Sequence, residues 1–140
     1  MKYFIDTNIF LRVLIKEDEK IFEECQQFLK AIRENKLKGV TSHLVLAEIA
    51  WTLSSYYQFS REDIAKALTG VVNLRGLKVI DGYQFLLALE LYNSKNVKFI
   101  DAIIASINQL LTKKWAIVSY DQDFDKLSIT RYEPAQVASK

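Results

Sequence analysis

The sequence predicts one α/β domain built on a mostly parallel central sheet with helices on both faces, and three observations carry that expectation. Short apolar runs of strand character alternate along the chain with longer runs of helical period. No repeat, low-complexity tract or shift of composition marks a linker. The 140 residues, half of them apolar, suit a single domain with one continuous core.

Taken in order, Lys2 to Ile5 reads as a short strand that breaks at Asp6-Thr7-Asn8. That triplet can cap a helix running through Ile9, Leu11, Val13, Leu14 and Ile15. The spacing of Ile21, Phe22, Cys25, Phe28, Leu29 and Ile32 predicts a helix from about Glu19 to Asn35. Lys36-Leu37-Lys38-Gly39 then leads into a brief strand near Val40. Ser42 suits the N-cap of a helix from His43 to Tyr57, and Ser60 suits the cap of another reaching about Leu74. Leu77 to Ile80 is the third expected strand. Helices are expected around Tyr83 to Asn93 and from about Asp101 to Thr112, followed by a strand from Trp115 to Ser119. Beyond the acidic loop Tyr120 to Asp125, Ile129 to Tyr132 suits one last short strand, and residues 134–140 read as a polar tail opened by Pro134.

Composition narrows the chemistry. No run approaches the roughly 20 apolar residues that span a bilayer, and the opening MKYFIDTN turns polar too soon for a secretory signal. A cytoplasmic protein without a membrane partner is expected. The single Cys25 has no second thiol with which to form an intramolecular disulfide, and its helix offers no zinc site. The single His43 argues against most Ser–His and Cys–His mechanisms and against many zinc sites. A net charge of +2 leaves the partner open, because electrostatic affinity depends on where charges sit. Oxygen ligands are the abundant resource.

Four acids stand out by context. Asp6 directly follows a strand, on the rim where open α/β folds bind ligands, although a helix cap reads the same way. Glu48 lies in Leu44-Val45-Leu46-Ala47-Glu48-Ile49-Ala50-Trp51, which is apolar on nearly every face, so its carboxylate is expected close to the core. Positions three and four residues away are Val45, Trp51, Leu44 and Thr52, so any neutralising partner is tertiary, with Arg12 one candidate salt bridge and a metal another. Asp101 repeats the pattern in Phe99-Ile100-Asp101-Ala102-Ile103-Ile104-Ala105, where an N-cap role is the alternative. Asp121 follows the strand Ala116-Ile117-Val118-Ser119, with a turn role as its alternative. Converging on one rim, the four would form an oxygen-ligand cluster suited to magnesium or manganese. Two carboxylates about 4 Å apart repel by roughly 4 kcal/mol at an effective dielectric near 20, so such a cluster holds protons or recruits cations.

Other motif readings fail on particular residues. Asp121-Gln122-Asp123-Phe124-Asp125 opens like a calcium loop, but Lys126 stands where the turn glycine belongs and Tyr132 where the closing glutamate belongs. A first-strand Asp also opens the haloacid-dehalogenase-type phosphatases, yet their second Asp, two residues on, is Asn8 here. Glycines 39, 70, 76 and 82 make neither a Walker loop nor a dinucleotide fingerprint, which argues against ATP and NAD.

With these residues in view, nearly the whole chain resembles the PIN-domain family, most closely the VapC-type toxins of prokaryotic toxin–antitoxin pairs. IDTNIFLR looks like the first acidic motif of the family, LAEIAW like the second, FIDAIIAS like the third and VSYDQDFDKL like the fourth. The resemblance implies that Asp6, Glu48, Asp101 and Asp121 are the metal-site acids, that Asn8 and Ser119 are polar supports, and that Asp123 is an auxiliary acid unless it serves as a solvated or capping loop residue. It also implies a single PIN-like domain over residues 1–140, a sheet of about five parallel strands, a homodimer, and inhibition by a small VapB-like antitoxin. The implied activity is hydrolysis of RNA phosphodiester bonds with Mg²⁺ or Mn²⁺. Arg12, Lys95, Lys98, Lys113 and Lys114 are candidate RNA contacts, with ordinary solvated charge as the alternative. Trp51, Tyr56, Tyr57 and Phe59 would be a dimer or antitoxin surface if exposed, or core if buried. Two rival functions remain: a PIN-like binding module without catalysis, and a structure-specific DNA nuclease.

Overall fold

The computed structural model describes residues 1–138. The chain runs β1 (Lys2–Ile5), α1 (Thr7–Leu14), α2 (Glu19–Arg33), β2 (Lys38–Thr41), α3 (His43–Ser55), α4 (Arg61–Val72), β3 (Leu77–Val79), α5 (Phe85–Lys95), α6 (Phe99–Ala105), α7 (Asn108–Leu111), β4 (Trp115–Val118), a 3-10 turn (Gln122–Leu127), β5 (Arg131–Tyr132) and α8 (Pro134–Ala138). The strands form one sheet in the order β3-β2-β1-β4-β5. Every pairing is parallel, with Phe4 opposite Val40 on one side and Ile5 opposite Val118 on the other. The expected parallel sheet, the family's five strands and the alternation with helices are all present.

Local chemistry explains most boundaries. Asp6, Asp18, Ser42 and Ser60 are all extended, and each accepts a backbone N–H at the start of α1, α2, α3 or α4. Gly76 opens β3 with φ +87°, and a Cβ there would stand 2.3 Å from the Ile32 carbonyl oxygen, so only glycine lets this turn press against the end of α2. Phe4, Phe10, Phe28, Ile32, Ile49, Leu53 and Phe124 are fully or almost fully buried in a single core on both sides of the sheet.

Three expectations change. The helix expected from Asp101 to Thr112 is two helices, broken at Ser106 and Ile107. The Ser106 hydroxyl donates to the Ile103 carbonyl and accepts the Gln84 N–H, while Ile107 is extended. A serine hydroxyl that bonds the backbone competes with the helix ladder. The first of these helices also begins two residues early, so Asp101 lies in its first turn and Lys98 is the N-cap. The second change is in the acidic loop, which becomes a 3-10 turn that buries Phe124 and Leu127. The third is the polar tail: residues 134–138 form α8, which packs on α2 with Pro134 and Val137 buried, and only residues 139–140 of that stretch lie outside the described residues.

The sheet topology places the functional rim. The chain leaves β1 toward β2 and β3 on one side and returns through β4 and β5 on the other, which makes the gap beyond β1 and β4 the switch point of the sheet. Ligands bind at such points because the carboxyl-end loops diverge there. The Asp6 N–H donates to the Val118 carbonyl at 3.1 Å, extending the β1–β4 register into the rim.

Candidate metal centre

Asp6 enters the site from the end of β1 and is 4% exposed. Its Oδ1 accepts the Thr7 N–H at 2.8 Å. Its Oδ2 accepts the Ser119 hydroxyl at 2.6 Å and the Asn8 amide at 3.2 Å. Capping and site membership therefore coexist in one carboxylate, because each oxygen has two lone pairs. Asn8 also donates to Ser119 Oγ at 3.1 Å and accepts the Tyr120 N–H at 3.3 Å, while Ser119 Oγ accepts the Asp121 N–H at 3.0 Å. Asn8 and Ser119 thus lock the β1–α1 turn to the end of β4.

Asp121 closes the same rim: its Oδ1 accepts the Asp123 N–H at 2.9 Å, which is the turn role, and its Oδ2 meets Lys98 Nζ at 3.2 Å. Asp101, in the first turn of α6, is 4% exposed, and its Oδ2 is buried without a hydrogen-bond partner. Lys98 Nζ stands 3.9 Å from that oxygen, too far for a hydrogen bond. One oxygen each from Asp101, Asp121 and Asp123 lie within 4.8 Å of one another. Glu48, half-buried on α3, accepts a hydrogen bond from the Thr7 hydroxyl. It is close enough for its charge to act on Asp6 and Lys98.

The electrostatics follow from this crowding. Burial, reinforced by the charges of Asp6 and Asp121 and only partly offset by Lys98, pushes the Asp101 carboxyl up to about 8. Burial likewise raises Asp6 to about 6, with Glu48 and Asp121 adding to the shift and the hydrogen bonds from Ser119 and Thr7 opposing it. Burial would raise Asp121 too, but the Asp123 N–H and the Lys98 ammonium outweigh it and hold this carboxyl below its ordinary range. A buried carboxylate oxygen without a partner is costly unless something neutralises it. The donor set is oxygen throughout, which fits a hard divalent cation such as Mg²⁺ or Mn²⁺ and not a soft one.

The structure thus brings Asp6, Glu48, Asp101, Asp121 and Asp123 to one rim with Asn8 and Ser119 beneath them. Among the described residues no ion pair joins Arg12 to Glu48, and the guanidinium acts instead on Cys25 and Tyr57. The neutral Thr7 hydroxyl takes the place of that salt bridge. Sequence reasoning misses Thr7 as a partner of Glu48, although its place beside the capping Asp6 is a signal. Lys98 is legible in the sequence as a candidate RNA contact, and its spacing three residues before Asp101 is the signal for the ion pair. His43 pairs with Asp81 and ties the start of α3 to the loop after β3. Trp51 and Tyr56 are exposed, whereas Tyr57 and Phe59 are half-buried against the core.

Comparison with known proteins meets this geometry from an independent direction. A VapC ribonuclease of Aquifex aeolicus (strain VF5) is 26% identical over 133 residues, which cover 93% of this chain and 95% of that protein. Among solved structures, VapBC2 from Rickettsia felis, bound to a DNA fragment from their promoter, matches with a TM-score of 0.67 at 20% identity, covering 95% of this chain and 98% of that one. PAE2754 from Pyrobaculum aerophilum matches with a TM-score of 0.68 at 14% identity, covering 99% and 93%. DNA-bound VapBC from Salmonella typhimurium matches with a TM-score of 0.66 at 16% identity, covering 96% and 98%. These structural likenesses establish a shared fold. The sequence profile of the PIN domain matches residues 3–129, a span that holds all five acids of the rim, and the chain belongs to the PIN domain family.

Proposed function

We propose that this protein is a divalent-metal-dependent endoribonuclease and the toxin of a VapBC-type toxin–antitoxin pair. The observation that carries the metal-dependent reading is the buried Oδ2 of Asp101, which accepts no hydrogen bond, among converging carboxylates at the switch point of the sheet. RNA as substrate is supported by the VapC ribonuclease that matches along nearly the whole chain.

Asp6, Glu48, Asp101 and Asp121 would hold the ion, joined by Asp123, whose carboxylate converges with those of Asp101 and Asp121. A divalent cation bound there lowers the pKa of water and stabilises the charge of a phosphoryl group. The chain's own residues supply the frame. Ser119 and Asn8 fix the Asp6 carboxylate, the Asp123 N–H fixes that of Asp121, and the Thr7 hydroxyl orients Glu48. The cluster without cations would repel a polyanion, so cation binding and RNA binding belong together.

Labelled RNA and DNA of one sequence, each incubated with Mn²⁺, Mg²⁺ or chelator, test this reading. Cleavage of RNA alone, dependent on the ion and stopped by chelator, is expected. Cleavage of DNA in its place would make the protein a DNA nuclease. Binding without cleavage under all conditions would make it a non-catalytic module.

The partners follow from surfaces outside the rim. On α5, Phe85, Leu86, Leu89 and Tyr92 are exposed, an apolar face suited to a second copy of the chain. Between α1, α2 and α4 lies a cleft of about 570 Å³ with Phe10, Leu14 and Leu29 in its lining and Lys30, Arg33 and Lys66 among its charged residues, suited to an amphipathic acidic segment of the antitoxin. Light scattering should give the mass of two chains for the protein alone; a monomer at all concentrations would reject the homodimer. No described helix is long and apolar enough to cross a membrane, and we place the protein in the cytoplasm with its RNA substrate.

A further inference from the structure

Lys98 reaches into the carboxylate rim from the N-cap of α6. A lysine has no acceptor with which to cap a helix, and none of the first-turn N–H groups is capped by it. Its ammonium stands instead 3.2 Å from Asp121 Oδ2 and 3.9 Å from Asp101 Oδ2. Both residues belong to the trio whose oxygens converge within 4.8 Å. The side chain of Lys98 is 64% exposed while those of Asp101 and Asp121 are 5% and 22% exposed, so a largely solvated stem carries its charge to less exposed partners. Lys126 makes a comparable contact with Asp123 at 3.2 Å, but forms no ion pair with Asp101 or Asp121 among the described residues.

A divalent ion held by the same oxygens would stand a few ångströms from the ammonium, and the two like charges repel at that separation. The largely solvated lysine can withdraw into water at small cost, whereas the buried Asp101 and the Asp121 carboxylate held by the Asp123 N–H cannot. We propose that Lys98 is a built-in competitor of the divalent ion, occupying the Asp101–Asp121 pair when the metal is absent and withdrawing when it loads. The inference rests on the metal-dependent reading given above. Its consequence is a site whose carboxylate charge is partly offset without metal, and that loads only above a higher ion concentration than the acids alone would require.

Isothermal titration of the chelator-treated full chain with MnCl₂ at neutral pH tests this without reference to cleavage. Lys98→Met is expected to bind Mn²⁺ about three- to tenfold more tightly than the unmodified protein, since an exposed ion pair and one nearby like charge are removed. Lys98→Arg, which keeps the charge, should stay close to the unmodified protein, and Lys126→Met should change affinity by less than about twofold. Lys98→Gln serves as a second neutral variant, and circular dichroism checks that each protein is folded. Equal or weaker binding by both folded neutral Lys98 variants would overturn the proposal. Equal tightening by Lys126→Met would also overturn it, because the effect would then be general to any nearby positive charge. Binding by the unmodified protein with no gain in the Lys98 variants rejects the competitor alone, whereas no binding by any protein rejects the metal-dependent reading and the competitor with it.

Discussion

Asp101→Asn should reduce ion-dependent RNA cleavage by at least about 100-fold while leaving the metal-free protein as stable as before or more so. Removal of a partner that merely orients a metal ligand costs about 10- to 100-fold, and removal of a ligand costs more. The stability side of the expectation comes from the surroundings. The carboxyl of Asp101 is buried, one of its oxygens accepts no hydrogen bond, and the charges of Asp6 and Asp121 act on it. An amide of the same shape carries no charge and can donate toward Asp121, so it relieves repulsion without opening a cavity. Single-turnover cleavage and thermal unfolding in chelator measure the two halves separately. A retained rate would remove Asp101 from the catalytic set. A large loss of metal-free stability would make it a structural residue of α6.

The second large effect is a dependence of metal-free stability on pH. The carboxyl of Asp101 has an ordinary value of 3.8 and is pushed up to about 8 in the fold by burial, so the folded chain binds this proton more tightly than the unfolded chain does. Its stabilising contribution is complete below 3.8 and is lost as pH rises through about 8. Asp6 behaves alike, losing its contribution as pH rises through about 6. Asp121 has the opposite sign: its lowered pKa contributes stability above 3.8 that is lost only as pH falls below that value. Between about pH 5 and 8 the two raised carboxyls therefore dominate. A tenfold difference in proton affinity between folded and unfolded chain is worth about 1.4 kcal/mol, and with an allowance for solvent screening a loss of about 2 kcal/mol across this window is expected, roughly 5 °C in Tm for a domain of this size. Scanning calorimetry in chelator should show the fall, Asp101→Asn should flatten most of it, and saturating Mn²⁺ should abolish it by replacing the proton as the neutralising charge. A flat profile for the unmodified protein in chelator would overturn this expectation, because neither carboxyl would then hold its proton more tightly in the folded chain than in the unfolded one.

Much of the fold was legible because strands and helices announce themselves locally. The apolar run before Asp6, the helical period from Ile21 to Ile32 and the caps at Ser42 and Ser60 are all properties of neighbouring residues. Each reappears as β1, α2, α3 and α4. The break at Ser106 was not legible, because its hydroxyl is held from afar by the N–H of Gln84. Nor was the burial of Val137, since α8 is short and owes its place to packing on α2. The half-buried Glu48 satisfied by Thr7 shows the same limit: an uncharged partner from another helix leaves no mark in the spacing of charges.

By itself the sequence determined the α/β class, the alternation of its strands with helices and the strand-end or helical setting of Asp6, Glu48, Asp101 and Asp121. Tertiary structure alone decided that Asp6, Glu48, Asp101, Asp121 and Asp123 share one rim, that Thr7 and not Arg12 pairs with Glu48 among the described residues, and that Lys98 reaches Asp121. The physical reason is range. Periodicity and capping act over a few residues of chain, whereas desolvation and Coulomb forces act through space between groups that the parallel sheet brings together from opposite ends of the sequence.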